Sequence, residues 1–301
     1  MTPEAEVLAA AGGDLAPLSP AAAAVADAGG LIPLFGRRAG APSAWAASYR
    51  ETLARALHAQ ASTARLVARL GERGIPAIGL KGAALVELVY DSPGERPMGD
   101  VDLLVPAARW DEACAITGGT ELVVEGRPIT SRHDYCRAFR ADGDVTFEIH
   151  RWLAPRPLWA VDLAGLFARA VRPVRAGAPL VPSSEDLLLS LCLHAAKHGF
   201  LVPLRAVLDT RRVVARLRPD GRLVANRARA WRATRATLAW LRRCGVADLV
   251  EPHLSAGSAP ITGSGGRFAR ILLATDGPTR ALGFLAQRAF FHLADRIRGS
   301  R

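Results

Sequence analysis

The sequence has few cysteines, almost no lysine and no long apolar run, and each shortage narrows the range of possible functions. Its four cysteines are widely scattered without a Cys-x-x-Cys pair, so the sequence suggests neither a zinc site nor a disulfide framework. No run of about 18 uncharged apolar residues occurs, so we expect no membrane-spanning helix. The N-terminal segment carries Glu4 and Glu6 in place of a basic region, which argues against a signal peptide. We therefore expect a cytoplasmic location.

Positive charge is abundant, but arginine carries nearly all of it. The 301 residues include 39 Lys and Arg, and only Lys81 and Lys197 are lysines, which leaves 37 arginines. The chain is also rich in Ala and Gly, as expected of a GC-rich coding sequence, so the net charge of +11 is weak evidence for a nucleic-acid partner. Where arginine is so favoured, a lysine is expected at a position that needs a compact ammonium.

Two acids lie close together near the end of the segment from Ile78 to Val105. A short apolar strand, a turn with Lys81 and Gly82, an apolar helix and a Pro- and Gly-rich turn lead to Gly-Asp-Val-Asp-Leu-Leu-Val. Successive side chains of a strand point to opposite faces, so Asp100 and Asp102 share one face. Neighbouring carboxylates repel each other unless a cation lies between them, and such oxygen ligands suit Mg²⁺.

A predicted hairpin further along supplies another acid. Strands are expected over 134–140 and 144–150, joined through the turn sequence Asp142-Gly143. In the second strand Glu148 and His150 share one polar face. That face is either a solvated strand surface or a source of a third metal carboxylate with a neighbouring histidine.

These segments together resemble a bacterial nucleotidyltransferase family within the polymerase β superfamily. The superfamily pattern is a Gly-rich turn, a helix, a strand with Asp-x-Asp and a third carboxylate on a later strand. A lone Asp-x-Asp would be a weak signal, whereas the upstream turn and the downstream Glu make this one more specific. The resemblance covers roughly residues 50–215 and is carried by Leu80-Lys81-Gly82, Arg96-Pro97-Met98-Gly99-Asp100-Val101-Asp102-Leu103-Leu104-Val105 and Phe147-Glu148-Ile149-His150.

For the acids the resemblance implies a catalytic role. Asp100, Asp102 and Glu148 would be the catalytic residues and the ligands of two Mg²⁺ ions. Two metal ions lower the pKa of an acceptor hydroxyl and neutralise charge on the attacking and leaving oxygens. His150 would contact the nucleotide or orient Glu148, or it is an ordinary polar residue at a strand end.

The Gly-containing turn is expected to bind phosphate. It opens a helix, whose free N–H groups and positive dipole end favour an anion. By resemblance, Lys81 with the backbone of Gly82 and Ala83 would hold the triphosphate of an NTP, with ATP as the first expectation. The turn departs from the superfamily's usual Gly-Ser, and the connection to the acids is longer. That connection adds Arg96, which either contacts the phosphates or forms a surface or structural ion pair with Asp100 or Asp102.

Beyond residue 183 the sequence predicts helices. Ser183 begins a good N-terminal cap, and His194 and His198 follow on one face of the helix. Two histidines four apart can share a metal, but no His-Glu-x-x-His signature accompanies them. We expect them to line the interface with the catalytic sheet or the nucleotide pocket, because matching histidines recur in the resembling family. Further helices are predicted over 226–244 and 279–297, with a loop at 255–266.

The predicted fold class is α+β (mixed). A small mixed β-sheet core of the nucleotidyltransferase kind is flanked by an N-terminal helical segment and a C-terminal helical domain. The expected parts are a helical lead-in at 1–72, a catalytic core at 73–182 and a helical domain at 183–301. The Pro-rich stretch from 155 to 184 is the candidate linker.

The resulting hypothesis is a Mg²⁺-dependent nucleotidyltransferase. It would move an NMP, AMP in the first instance, from an NTP to a hydroxyl of a small-molecule, peptide or protein acceptor and release pyrophosphate. The alternative is a non-catalytic nucleotide- or partner-binding accessory module of a biosynthetic or toxin–antitoxin-like system. A nucleic-acid acceptor is a third interpretation; it requires binding that weakens steeply with salt, and the sequence lacks the aromatic interleaving of a single-strand platform. Acceptor identity and oligomeric state stay open.

Overall fold

Helices and one mixed sheet make up most of the chain that the structure describes. The structure is a computed structural model, and it describes residues 1–13, 17–124, 127–128, 135–141, 143–156, 158–254, 267–277, 279–280, 282 and 285. Within these residues a five-stranded sheet lies among a larger number of helices. The predicted α+β (mixed) class is thereby confirmed.

Most of the helices and strands lie where the hydrophobic periodicity of the sequence predicts them. The helices are α1 (Pro3–Gly12), α2 (Pro20–Ala28), α3 (Ile32–Gly36), α4 (Ser43–Glu72), α5 (Lys81–Leu88), α6 (Trp110–Thr117), α7 (Leu163–Ala168), α8 (Ser184–Lys197), α9 (Leu204–Leu217), α10 (Gly221–Ala230), α11 (Thr234–Cys244) and α12 (Arg267–Leu273). The strands are β1 (Ile78–Gly79), β2 (Val101–Leu104), β3 (Thr120–Glu121), β4 (Val123–Val124), β5 (Arg127–Pro128), β6 (Cys136–Ala141) and β7 (Val145–His150).

The order of strands in the main sheet is β1-β2-β7-β6-β3, and β4 pairs with β5 separately. Strands β2 and β7 run parallel, whereas β1–β2, β6–β7 and β3–β6 are antiparallel. The parallel register pairs Asp102 with Glu148 and Leu104 with His150. Paired residues on neighbouring strands point to the same face of a sheet. The sheet therefore presents Asp102, Glu148 and His150 together on one face.

Two apolar cores pack against alternate residues of the central strands. On one face, α4 and α6 cover residues such as Leu103 and Phe147. On the other, α5 and the helices α8–α11 form a larger core around the fully buried Trp231 and Trp240. Leu104 belongs to this second core, so the face that carries Asp102 becomes apolar two residues later. The acidic group thus lies at the border between the sheet and the C-terminal helices.

The first three helices belong to the larger core as well. Val7, Ala22 and Phe35 are buried in it together with residues of α8–α11. Within the Pro-rich stretch, the Leu180 N–H donates to the Ala77 carbonyl at 3.0 Å, and the Leu180 carbonyl accepts from the Gly79 N–H at 2.7 Å. The proposed division of the chain at residues 72 and 182 stays a prediction.

One predicted helix, over 226–244, is wrong, because the structure divides it into α10 and α11. Arg232 adopts a left-handed backbone with φ 53°, and the Ala233 N–H donates back to the Ala228 carbonyl at 2.7 Å. The carboxylate of Asp276 accepts the N–H groups of Thr234 and Arg235 at 2.7 and 2.9 Å, so it caps the start of α11. A side chain more than 40 residues away supplies this cap, which local sequence patterns do not reveal.

Some predictions concern segments outside the described residues. They are the loop at 255–266, most of the last helix at 279–297 and one residue, Asp142, of the predicted hairpin turn. The described part of the turn keeps β6 and β7 antiparallel, as predicted. Among the described helices, none combines the length and apolar character needed to span a bilayer.

Candidate active site

Three carboxylates converge at the parallel pair of strands. Asp100 precedes β2 by one residue, Asp102 lies within β2, and Glu148 lies opposite it on β7. One carboxylate oxygen from each of the three lies within 4.8 Å of the others. The alternation along β2 predicts that the two Asp share a face, but the parallel register that adds Glu148 depends on a pairing of segments 46 residues apart.

Lys81 places a positive charge beside two of these carboxylates. Its Nζ lies 2.5 Å from Asp102 Oδ1 and 4.0 Å from Glu148 Oε2. Lys81 is the first residue of α5 and has φ 44°, a left-handed conformation that is uncommon for a residue with a side chain. The Leu80 N–H donates to the Asp102 carbonyl at 3.0 Å, which ties the start of α5 to the acid strand.

His150 lies on the same sheet face and contacts two of the carboxylates. Its Nε2 is 2.9 Å from Asp102 Oδ1 and 3.2 Å from Glu148 Oε2. Burial disfavours the imidazolium, but the hydrogen bonds with Asp102 and Glu148 outweigh it and raise the pKa of His150. Carboxylate oxygens accept, so Nε2 carries a proton, donates to these two carboxylates and fixes their orientation.

The surroundings shift the pKa values of the two Asp residues in opposite directions. Burial, and next the charge of Asp102, raise the pKa of Asp100 to about 6. For Asp102, burial also favours the neutral acid, yet the Lys81 charge and the hydrogen bond from His150 hold its pKa well below the ordinary value. Asp102 is therefore ionised throughout the neutral range, whereas Asp100 still carries a proton below about pH 6.

The phosphate-binding prediction for the turn concerns Gly82 and Ala83, and both are buried in the first turn of α5. A Cβ on Gly82 would lie 2.5 Å from Arg96 Nη1 and 2.6 Å from Met98 Sδ. The glycine therefore permits a close approach of Arg96 to the turn. The predicted phosphate contact of the turn is not tested by these distances and stays a prediction.

Arg96 forms a buried ion pair, but its partner is Asp209 on α9, which differs from the predicted pairing with Asp100 or Asp102. Its Nε and Nη2 donate to the Asp209 carboxylate at 3.0 and 2.8 Å, and the Tyr90 hydroxyl donates to the same carboxylate at 2.6 Å. The pairing crosses 113 residues of sequence, which explains why the sequence did not reveal it. Contact of Arg96 with phosphate stays a prediction.

The C-terminal end of α8 lies near the site, because the charges of Lys81 and Asp102 act on both His194 and Lys197. His194 and His198 lie with ring centroids 4.8 Å apart, and the Lys197 ammonium lies 5.0 Å from the ring centroid of Tyr135. Burial, and next the charge of Lys81, lower the pKa of Lys197 to about 8. Both lysines of the chain therefore lie near the acids, and the charge of Lys81 disfavours the charged form of Lys197. Lys197 and Tyr135 are the residues that the sequence alone did not place in the site.

A cavity of about 330 Å³ lies beside the acids, between α4, the residues before β2 and the start of β7. Asp100 lines it, together with the apolar side chains of Ala59, Met98 and Val145. His58 lines its rim, with Nε2 3.2 Å from the Gly143 carbonyl oxygen. The cavity connects the acidic group with space large enough for part of a small molecule.

The carboxylates suit a divalent cation. Oxygen ligands about 2.1 Å from one Mg²⁺ lie at most about 4.2 Å apart, so the observed 4.8 Å spread needs only a small side-chain shift. A second group of potential metal ligands consists of Cys136, Glu148 and His150, and it shares Glu148 with the first group. Burial raises the pKa of the Cys136 thiol to about 12, which keeps it protonated and makes it a poor ligand. Neither group includes His194 or His198.

Comparison with known families defines the class of the protein. A family described as "uncharacterised nucleotidyltransferase" matches residues 24–246, a range that contains the three carboxylates, Lys81, His150 and the α8 residues. The chain belongs to this family and is a transferase of nucleotidyl groups. The resemblance read from the motifs is thereby confirmed, as is a nucleoside triphosphate as the general substrate.

Two solved structures of one protein are similar to this chain at a low level. The solution structure of the antibiotic-resistance factor ANT(2'')-Ia has 19% identity, covers 63% of this chain and 94% of that chain, and gives a TM-score of 0.39. The crystal structure of ANT(2'')-Ia in complex with adenylyl-2''-tobramycin has 20% identity, covers 59% and 94%, and gives a TM-score of 0.37. No curated protein matches the sequence.

Proposed function

We propose that the protein transfers an NMP, AMP from ATP in the first instance, to a hydroxyl of a small-molecule, peptide or protein acceptor and releases pyrophosphate. The observation that carries this proposal is the convergence of Asp100, Asp102 and Glu148, with oxygens within 4.8 Å of one another, beside the ammonium of Lys81. Such a site suits a metal–triphosphate complex, because the carboxylates would bind the cation and the ammonium would bind the phosphates. The family supports nucleotidyl transfer.

Asp100, Asp102 and Glu148 would hold Mg²⁺, and two ions are proposed. When bound, the metal lowers the pKa of the acceptor hydroxyl and neutralises negative charge at the reacting phosphate. His150 keeps Asp102 and Glu148 in position through Nε2. The high pKa of Asp100 means that metal binding there competes with a proton below about pH 6.

The triphosphate would lie against the start of α5. Lys81 supplies a compact positive charge, and the backbone of Gly82 and Ala83 supplies the first free N–H groups of the helix. Arg96 Nη1, next to Gly82, is the second proposed phosphate contact. The histidines of α8, His194 and His198, would border the nucleotide from the opposite side.

The reaction joins the acceptor oxygen to the α-phosphorus. The bond from the α-phosphorus to the oxygen that bridges it to the β-phosphorus breaks, and pyrophosphate leaves with that electron pair. The acceptor's proton passes to Glu148, whose carboxylate is held by His150 at 3.2 Å. Alignment of the acceptor and the leaving group supplies much of the rate in phosphoryl transfer.

The acceptor's chemical body would occupy the cavity beside Asp100. Its modest volume, with both apolar and charged side chains in the lining, favours a small molecule or an exposed chain end over a nucleic-acid duplex. A cytoplasmic location, where ATP and Mg²⁺ are plentiful, belongs to the same proposal.

A thermal-shift titration with Mg²⁺ and each of the four NTPs tests the binding half of the proposal. A ligand at a hundredfold excess over its Kd stabilises the folded state by about 2.7 kcal/mol. We expect a Mg²⁺-dependent rise of Tm for one NTP in the wild type and none in an Asp100→Asn, Asp102→Asn double variant. Asp91→Asn is the matched control, because Asp91 is an exposed partner of Arg216.

Two results would change the conclusion. If no NTP raises the Tm of the wild type while the double variant stays folded, the acids do not form an independent nucleotide site. If a nucleotide binds but no pyrophosphate is released with any acceptor supplied, a non-catalytic nucleotide- or partner-binding module becomes the better description.

A further inference from the structure

The ammonium of Lys81 lies among the same three carboxylates that would hold a metal ion. Its Nζ is 2.5 Å from Asp102 Oδ1 and 4.0 Å from Glu148 Oε2. The charge of Asp100 acts on it as well. These are the residues whose oxygens fall within 4.8 Å of one another. One side chain of the protein thus pairs with two of the three carboxylates that a divalent cation would bind.

The backbone directs Lys81 to this position. The hydrogen bond from the Leu80 N–H to the Asp102 carbonyl fixes the residue before it, and the left-handed φ of 44° turns the chain there. Asp102 is only 2% exposed, whereas the Lys81 side chain is 22% exposed. The carboxylate is therefore fixed within the protein, and the ammonium is the partner that has room to move.

An ammonium and a divalent cation repel each other when they share an oxygen. Asp102 Oδ1 accepts from His150 Nε2 at 2.9 Å and from Lys81 Nζ at 2.5 Å, so both of its lone pairs are in use. A cation that enters must displace Lys81 or accept a weaker site. Moving the ammonium into water would sacrifice its ion pair, whereas moving it to an anionic phosphate would replace that pair.

We propose that Lys81 competes with the divalent cation for Asp102, and that a triphosphate relieves this competition by taking the ammonium onto its own oxygens. This inference rests on the proposed nucleotide site and goes beyond it, because it makes cation binding and triphosphate binding cooperative. Such coupling is reciprocal: whatever the triphosphate adds to the cation's affinity, the cation adds to the triphosphate's.

The test measures each ligand by itself in the Lys81→Met variant. Mn²⁺ binding without nucleotide is followed by electron paramagnetic resonance, and binding of metal-free α,β-methylene-ATP in EDTA is followed by calorimetry. Loss of the competitor should tighten Mn²⁺ binding about tenfold, the equivalent of about 1.4 kcal/mol. Loss of the phosphate contact should weaken binding of the metal-free analogue at least about fivefold. General damage to the fold cannot change the two affinities in opposite directions.

Lys197→Met is the charge-matched control, because Lys197 is the second lysine near the acids but has no carboxylate within ion-pair distance among the described residues. It should tighten Mn²⁺ binding by less than Lys81→Met. Equal effects would mean that only net charge matters, which overturns the inference. If Lys81→Met weakens binding of both ligands while the wild type binds both, the competition is wrong and the proposed function stands. If the wild type binds neither, the proposed function itself fails.

A second measurement uses the unaltered protein. Because the chain has only two lysines, labelling lysine with ¹³C at Cε gives two NMR signals, and Lys81→Arg assigns them. The Lys81 signal should shift when Mg²⁺ and the analogue are added together, since the ammonium leaves a buried carboxylate for a phosphate. A signal that stays in place while the analogue binds would overturn the proposal.

Discussion

Asp100 is an acid whose charged form the fold disfavours. Its pKa of about 6 lies above the ordinary value of 3.8, because burial and the charge of Asp102 oppose ionisation. A raised pKa in the folded state means that the folded protein binds more protons than the unfolded chain between these two values. Ionisation of Asp100 therefore costs stability, and that cost is absent below about pH 4 and complete above about pH 6.

Replacing this acid should stabilise the protein and impair its function. In EDTA at pH 7.5, Asp100→Asn should raise the free energy of unfolding by about 2 kcal/mol, from a shift of about two pKa units discounted for partial exposure. Near pH 4 the gain should vanish. Urea unfolding at the two pH values measures both, and a gain that is equal at both would contradict the assignment.

Asp91→Asn serves as the matched control for this change. A hydrogen bond with Arg216 lowers the pKa of Asp91, the opposite direction to Asp100. Removing that carboxylate should leave stability unchanged or slightly lower, by less than about 1 kcal/mol for an exposed pair. A gain in the free energy of unfolding like that of Asp100→Asn would show that removing a negative charge at any position stabilises the protein.

Gly82 is required by the close approach of Arg96 and Met98 to the turn. A Cβ there would lie 2.5 Å from Arg96 Nη1, and Asp209 prevents that guanidinium from moving away. Gly82→Ala should lower the free energy of unfolding by about 1–3 kcal/mol, the usual cost of overpacking. It should also weaken binding of Mg²⁺–NTP in a thermal-shift titration.

Gly71→Ala provides the comparison for this change. Gly71 lies in the last turn of α4 with nothing within 4 Å of its added Cβ, and Ala is favoured over Gly there by up to the value for a helix interior, about 0.5–1 kcal/mol. The control should therefore gain stability and keep nucleotide binding. Equal losses at both positions would contradict the packing account.

Among the elements, the loop before β2 is fastened to α9 by the buried pair of Arg96 and Asp209. Asp209 is 2% exposed and also accepts from the Tyr90 hydroxyl. Asp209→Ala leaves a buried guanidinium without its partner and should cost about 3–5 kcal/mol of stability. Chemical unfolding measures this loss.

The double variant Arg96→Met, Asp209→Leu tests whether the loss comes from the unpaired charge. Replacing both partners by apolar side chains should recover most of the stability, because neither partner is then left as an unpaired buried charge. Glu251→Ala breaks the exposed pair with Arg242 and should cost less than about 1 kcal/mol. A double variant as unstable as Asp209→Ala would contradict this explanation.

Local patterns predicted the elements that carry their own signals. The antiparallel β6–β7 pair and the cap at Ser183 both depend on residues a few positions apart. The break between α10 and α11 was missed, since Asp276 supplies the cap from far along the chain. Contacts between segments that are far apart in the sequence do not alter the hydrophobic periodicity of 2 or 3.6 residues from which strands and helices are predicted.

For the site, the sequence indicated each member of the acidic group separately. Alternation placed Asp100 and Asp102 on one face, and the resemblance added Glu148. The parallel register that puts Glu148 opposite Asp102, and the approach of Lys197 from α8, are tertiary facts. The composition held one hint, because two lysines among 39 basic residues mark positions where an ammonium is preferred.

At the scale of the whole molecule, the catalytic sheet is held between two cores. Helices near both ends of the chain, α1–α3 and α8–α11, share the larger core, which borders the acidic face of the sheet. Residues from the chain's middle supply the carboxylates, and α8 brings His194 and Lys197 within range of their charge. A nucleotide between these parts would contact residues separated by more than 100 positions.

The central claim is transfer of an NMP unit, and the fate of each phosphate tests it most directly. The protein is incubated with Mg²⁺ and an extract of candidate acceptors, once with ATP labelled at the α-phosphate and once with ATP labelled at the γ-phosphate. Asp102→Asn serves as the inactive control. We predict that α-label joins an acceptor while γ-label appears only in pyrophosphate. Transfer of the γ-label to an acceptor, or α-label transfer undiminished in the Asp102→Asn variant, would contradict the account.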